Sequence, residues 1–305
     1  MKQTFFVFFI MCFSSANYAD AVLVYERGFK ASNVIINKIG VYSDLTDIDA
    51  ITATEYRRQN SDALPPVVIA VGARAFRSVC KAHSGKKIVA VFIGQEEFLS
   101  ESQTCVSSTT AVFSGADLSL RLRLFKHILP NISRLGLIYS ESVRLNEAYY
   151  QAQAALYDLR FVFSSVPNDR NAIIKTINRI LVDTDVLFSI IDTDLYQHQT
   201  IQDVLKLFFR QRKIMIGPSN NFVKAGALFS IYSDAEEQIK ELTNILVQYD
   251  QDVHQNIPAL YPRNLKIIFN PYLVRSFGIV LPSSEYLENT FGLCAESGCA
   301  KTLNK

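Results

Sequence analysis

The sequence predicts an α/β fold built on parallel sheets, on three observations. First, from Asp185 to Asp234 two apolar, β-branched runs, Val186–Ile191 and Ile214–Ile216, flank a helix-spaced segment. Val204, Leu205, Leu207, Phe208 and Phe209 form the apolar side of that segment. Near-continuous apolar strands alternating with helices read as a sheet covered on both faces. Second, the same alternation recurs from Ala21 to Gly94. Third, the roughly 285 residues that follow an expected N-terminal signal peptide exceed the usual 100–200 per domain, so two lobes are expected.

In chain order, Ala21–Gly28 reads as a strand, Ala31–Ile39 as a weak helix and Ile48–Thr54 as a second strand. Pro65-Pro66 opens the strand Val67–Gly72, and a helix runs from Ala73 to Val79. Lys86–Gly94 is a strand ending in a turn at Gln95-Glu96-Glu97. Asp117 is placed to N-cap a helix marked by Leu118, Leu122, Phe125 and Leu129 and ended by Pro130. Arg134–Ser140 is a strand, Asn146–Leu159 a helix, Arg160–Val166 a strand and Asn168–Leu181 a helix. After the two runs described above come a strand at Ala227–Ser233 and a helix from Asp234 to about Gln248. Asn264–Ile279 gives a strand and a short helix started by Pro271. The tail from Phe291 reads as loosely held.

The N-terminus reads as a secretory signal peptide: Lys2, an apolar core from Phe5 to Phe13, then small residues, with cleavage expected after Ala19 or, second, after Ala21. Cys12 lies inside the apolar core without a small residue before it, so no lipid anchor is expected. No later run approaches the roughly 18 apolar residues of a spanning helix. The expectation is a soluble, periplasmic chain. The formal net charge is +2, with no basic stripe, which argues against nucleic acid. After cleavage Cys80, Cys105, Cys294 and Cys299 remain, and four cysteines allow three pairings. Cys80–Cys105 and Cys294–Cys299 are expected in an oxidising compartment. No cysteine–histidine spacing suits a metal, and no metal or cofactor is expected.

Three strings carry a resemblance to a known family: VVIAVGARAF from Val67, LFKHILPNISRLGLIYSES from Leu124, and VKAGALFSIYSD from Val223, followed by RNLKIIFNPYLVRSFGI from Arg263. In this order they resemble ABC-transporter substrate-binding proteins of the type that binds tryptophan and other aromatic amino acids. The resemblance spans Pro66 to Ile279. It implies the type I periplasmic-binding-protein fold: two Rossmann-like lobes joined by crossover strands, with the ligand in the cleft. Lobe I would be residues 20–114 and 234–264, lobe II residues 115–233 and 265–290, with 1–19 the signal peptide and 291–305 a C-terminal tail. Val112–Gly115 would be the first crossover. This chain departs from the family in a shorter stretch between its first and third strands. It also carries Gly94-Gln95-Glu96-Glu97 where the family has a Thr/Ser-Asp-Pro turn.

In parallel sheets ligands sit at the carboxyl ends of the strands. Asp192-Thr193-Asp194 falls there and matches the family's strand-end Asp turn; it would bind an ammonium group or cap the next helix. Ser219, Asn220 and Asn221 would hold a carboxylate or simply form a turn. Tyr139, Ser140 and Glu141 end another strand. Ala73 and Arg74 open a helix whose N–H groups attract an anion, unless Arg74 is merely solvated. Gln95 and Glu96 follow the fourth strand. Phe113 and Tyr232 lie near the crossovers, where they would stack on a planar ligand or pack the hinge. The four histidines share no ligand spacing and no nucleophile elbow is present, so no catalytic residue is expected. The expected function is capture of a small solute, an amino acid or similar, for an inner-membrane ABC permease. The alternative is a periplasmic adaptor or sensory partner protein with the same fold and a degenerate cleft.

Overall fold

The computed structural model describes residues 21–296 apart from residues 46 and 197. The expected signal peptide, Cys12 and Cys299 lie outside the described residues. The first layer is a sheet of β1 (Ala21–Tyr25), β2 (Ile48–Thr52), β3 (Val67–Val71), β4 (Lys87–Ile93) and β5 (Ser108–Phe113). All pairings are parallel, in the order β2-β1-β3-β4-β5. The helices between these strands are α1 (Ser32–Tyr42), α2 (Ala53–Arg58), α3 (Gly72–Cys80) and α4 (Gln95–Ser102).

Alternation along the strands sorts the side chains. Leu23, Ile69 and Val89 stand in register and pack against Ile35 and Ile39 of α1. Val22, Val68 and Ile88, one residue earlier, pack against Tyr56 of α2 and Phe76 of α3. The expected second strand stops at Thr52 rather than Thr54. There the Thr52 hydroxyl accepts from the Glu55 N–H at 3.2 Å and the Glu55 carboxylate accepts from the Thr52 N–H at 2.8 Å, closing a capping box that starts α2. A disulfide joins Cys80 to Cys105 with Cα atoms 4.4 Å apart, as the sequence suggested. It ties the end of α3 to the loop before β5, a link typically worth about 2–4 kcal/mol.

The second layer contains α5 (Leu118–Ile128), β6 (Arg134–Ser140), α6 (Glu147–Ala155), β7 (Arg160–Val166), α7 (Arg170–Asp183), β8 (Val186–Phe188), α8 (His198–Gln211), β9 (Ile214–Ile216) and α9 (Asn220–Ala225). Its sheet is parallel, in the order β7-β6-β8-β9. Asp117 caps α5 as expected, accepting from the Ser119 N–H at 2.9 Å. The run Val186–Ile191 is a strand only as far as Phe188; Ser189 still donates its N–H to the Ile216 carbonyl at 3.1 Å, Ile190 is buried in the second layer's core, and Ile191 reaches Gly94 of the first layer.

A third, mixed sheet closes the structure. β10 (Phe229–Tyr232) pairs antiparallel with β11 (Leu265–Phe269), and β11 pairs parallel with β12 (Leu293–Ala295). Between β10 and β11 the helix α10 (Ala235–Gln251) returns to the first layer, where Ile239, Leu242 and Ile245 join Leu23 and Ile69 in one core. Beyond β11 come α11 (Pro271–Ser276) and α12 (Ser284–Phe291). The tail is therefore not loose at its start, because Phe291 and Leu293 are buried in the second layer's core and β12 completes the sheet. Among the described residues no helix is long and apolar enough to cross a membrane.

Candidate functional site

The carboxyl ends of both parallel sheets face each other, and they come close together at Gly94. A Cβ at this position would lie 2.8 Å from the Ile191 Cβ and 2.9 Å from its carbonyl oxygen. The backbone there has an ordinary φ of −76°, so it is the neighbouring layer that excludes a side chain. Just upstream, β4 carries a bulge at Phe92, which adopts a left-handed φ of 57°. Such strain collects near functional sites.

Gly94 opens α4, whose first turn is the segment read from sequence as a turn. Glu97 explains the difference. Its Oε2 accepts from the Gly94 N–H at 3.2 Å, which caps the helix, and its Oε1 accepts from the Thr193 N–H of the other layer at 2.7 Å. Burial pushes the Glu97 carboxyl up to about 7, against the pull of the two N–H donors. Glu96 accepts a hydrogen bond from the Tyr150 hydroxyl of α6, again across the layers. Burial raises the Glu96 carboxyl above its ordinary range, and burial together with Glu96 raises the Tyr150 phenol well above 10. Gln95 accepts from the Tyr261 hydroxyl at 3.1 Å.

Arg121 of α5 supplies the cation. It is buried, its guanidinium lies 4.1 Å over the Phe188 ring, and its Nη2 donates to the Ser189 carbonyl at 2.5 Å. Burial lowers its pKa from the usual arginine value. Among the described residues no carboxylate forms an ion pair with it. Gln95, Glu96, Arg121, Tyr150 and Tyr261 thus enclose a small cavity, with Gly115, Ile191 and Pro218 completing the wall. Its volume of about 10 Å³ has room for one water. Admitting a larger solute requires the two layers to part. Charged and hydrogen-bonding groups of both signs converge on it, an arrangement suited to orienting a small polar molecule.

The residues singled out from sequence divide three ways. Gln95 and Glu96 line the cavity. Arg74 and Asp194 do not line it but form an ion pair between the layers, 3.9 Å apart, joined by Arg77, which reaches Asp194 at 3.4 Å and Glu101 at 2.5 Å. The Ser142 hydroxyl also donates to Asp194, at 2.9 Å. Thr193 contributes its N–H to Glu97. The others make the following local contacts. The Asp192 carboxylate is 3% exposed and fully engaged: it accepts from the Ser140 N–H at 2.7 Å, the Ser140 hydroxyl at 2.9 Å and the Leu195 N–H at 3.0 Å. Phe113 is buried against Phe98 and Tyr261, and Ala73 is buried in the first layer's core. Tyr139 donates to Glu147 at 2.6 Å, and Glu141 is exposed. Ser219 and Asn220, half-buried, start α9 beside Pro218, while Asn221 is exposed. Tyr232 is buried in β10 and donates to Glu296 at 3.1 Å.

Sequence reasoning missed Arg121, Tyr150 and Tyr261. Arg121 had a usable signal: it stands three residues after Leu118 and four before Phe125, on the apolar stripe of α5, where an unpaired cation is out of place. Tyr261, in an irregular segment, had none.

Comparison with known proteins places the chain. The family described as ABC transporter substrate binding protein matches residues 29–288, well over half of the sequence. The chain belongs to that family. No curated protein sequence matches it. Among solved structures it is similar to an ABC domain in complex with L-Trp from Streptococcus pneumonia, with a TM-score of 0.67 and 16% identity over 90% of this chain and 99% of that one. It is also similar to a conserved domain protein from Vibrio cholerae, with a TM-score of 0.65 and 14% identity over 86% of this chain and 95% of the other. A ligand-free, open substrate-binding protein with adhesive properties from Clostridium difficile gives a TM-score of 0.57 at 14% identity, covering 90% and 97%. The fold is that of the type I periplasmic binding proteins, and the family is a solute-binding, non-enzymatic class.

Proposed function

We propose that this chain is an exported substrate-binding protein that captures an amino acid, an aromatic one first, and presents it to an ABC permease of the inner membrane. The lobes are taken as residues 20–114 with 234–264 and residues 115–233 with 265–290, closing on the solute about the crossovers near Ser114, Ser233 and Leu265. The observation that carries the reading is the buried Arg121, which forms no ion pair among the described residues, lining with Glu96 a cavity enclosed by residues of both layers. A zwitterion suits that pair: Arg121 would take the carboxylate and Glu96, with Gln95, the ammonium group. Tyr150 and Tyr261 would flank the side chain. The L-Trp complex among the similar structures supports this ligand class.

The chain contains no tryptophan, so indole emission in a mixture comes from added ligand alone. Titrating free L-tryptophan into the protein should shift its emission to shorter wavelength and saturate near one ligand per chain. Each bound solute should also raise the melting temperature by mass action. No shift with tryptophan and no thermal stabilisation by any standard amino acid would reject the reading. An adaptor role would then account for the fold better.

A further inference from the structure

At the end of the second layer opposite the cleft lies a groove of about 910 Å³ between α8, the end of α9 and α11. The two sites flank β9: Lys213, just before the strand, lines the groove, and Pro218, just after it, lines the cleft. The groove floor is apolar, and its aromatic side chains are unusually open to solvent. Phe209 is 65% exposed, Tyr272 55% and Phe277 36%, with the Phe209 and Tyr272 rings 6.4 Å apart. Contiguous exposed apolar surface rimmed by polar groups marks an interaction site.

The rim has one sign of charge. Four of the fifteen lining residues are Lys or Arg and none is acidic, in a chain whose totals, 31 Lys and Arg against 29 Asp and Glu, are nearly balanced. Lys213 pairs with Asp185 at 3.5 Å, but among the described residues no carboxylate forms an ion pair with Lys206 or Arg210. Lys206 and Arg210 are one turn apart on α8, about 6 Å along its axis. Acidic residues four apart on a partner helix repeat at the same distance. A single carboxylate of a small amphiphile would meet only one of these cations. A bilayer surface is flat, whereas the exposed rings line a trough between two helices.

We propose that this groove docks an acidic amphipathic helix of a partner protein, with apolar residues on the floor and Glu or Asp along the α8 rim. The site leaves the solute cleft open, so both can be occupied at once.

The test is fluorescence anisotropy of the full chain with a labelled 18-residue helical peptide carrying Leu and Phe on one face and Glu at i, i+4 beside it. The comparison peptide has Lys in place of each Glu. The Glu peptide should bind more tightly than the Lys peptide. The double variant K206E/R210E should weaken it at least tenfold and favour the Lys peptide. F209S should also weaken it, with an unchanged thermal melt reporting intact folding. Equal affinity for the two peptides, no binding of the Glu peptide, or no response to charge reversal would overturn the proposal. So would tighter binding to phosphatidylglycerol vesicles than to the peptide, which would make the groove a membrane site.

Discussion

Replacing Asp192 separates a structural carboxylate from a ligand-binding one. Its two oxygens take three donors, from the Ser140 N–H, the Ser140 hydroxyl and the Leu195 N–H, at 2.7–3.0 Å, and the side chain is 3% exposed. The knot fixes the end of β6 against the turn after β8, and so sets where Ile191 and Thr193 meet α4. Alanine removes all three bonds and leaves two backbone N–H groups without their acceptor in a buried place. Hydrogen bonds to a charged group contribute about 1.5–3 kcal/mol each, but the buried carboxylate carries a desolvation cost that its removal returns. The net loss should be about 2–5 kcal/mol, from two buried N–H groups left unsatisfied at about 1–3 kcal/mol each, less the desolvation returned. Asn keeps one acceptor oxygen, so D192N should lose about half as much. Urea denaturation followed by far-UV circular dichroism measures both. A D192A loss below about 1 kcal/mol, accompanied by lost amino-acid affinity, would refute the structural assignment and return Asp192 to the ligand site.

Two further outcomes follow from the contact between the layers. G94A should fold normally but resist closure, because the added methyl meets Ile191 at 2.8 Å. Its amino-acid affinity should drop at least tenfold, and small-angle scattering with saturating solute should give a larger radius than the wild type. Glu97 supplies a pH dependence: its carboxyl is raised by burial from 4.5 to about 7, so the folded chain holds a proton that the unfolded chain releases. Its stabilising contribution is therefore present below pH 4.5 and declines as pH rises to about 7, by up to about 1.4 kcal/mol per pH unit. In E97Q the corresponding fall in melting temperature between pH 4.5 and 7 should be missing; an unchanged profile would exclude Glu97 as its source.

The sequence by itself determined the alternation of strands and helices, because apolar runs with no polar alternation can be satisfied only between two covering layers. It also carried the local signals: Asp117 as a helix cap, and Cys80 with Cys105 as a pair. It misread Gln95-Glu96-Glu97 as a turn, although Glu97 caps its own helix locally by accepting from the Gly94 N–H three residues before it. Asp192 it could not place, since a carboxylate at a strand end looks the same in one dimension whether it faces a solute or a neighbouring backbone. The tertiary structure supplied it with a partner that no local pattern showed, by bringing Ser140 to it from 52 residues away. It also assembled the cavity from α4, α5, α6 and an irregular segment at Tyr261, elements that share no local pattern. Periodicity along the chain reports which face is buried; which buried polar groups converge on one point is set by how the two sheets meet.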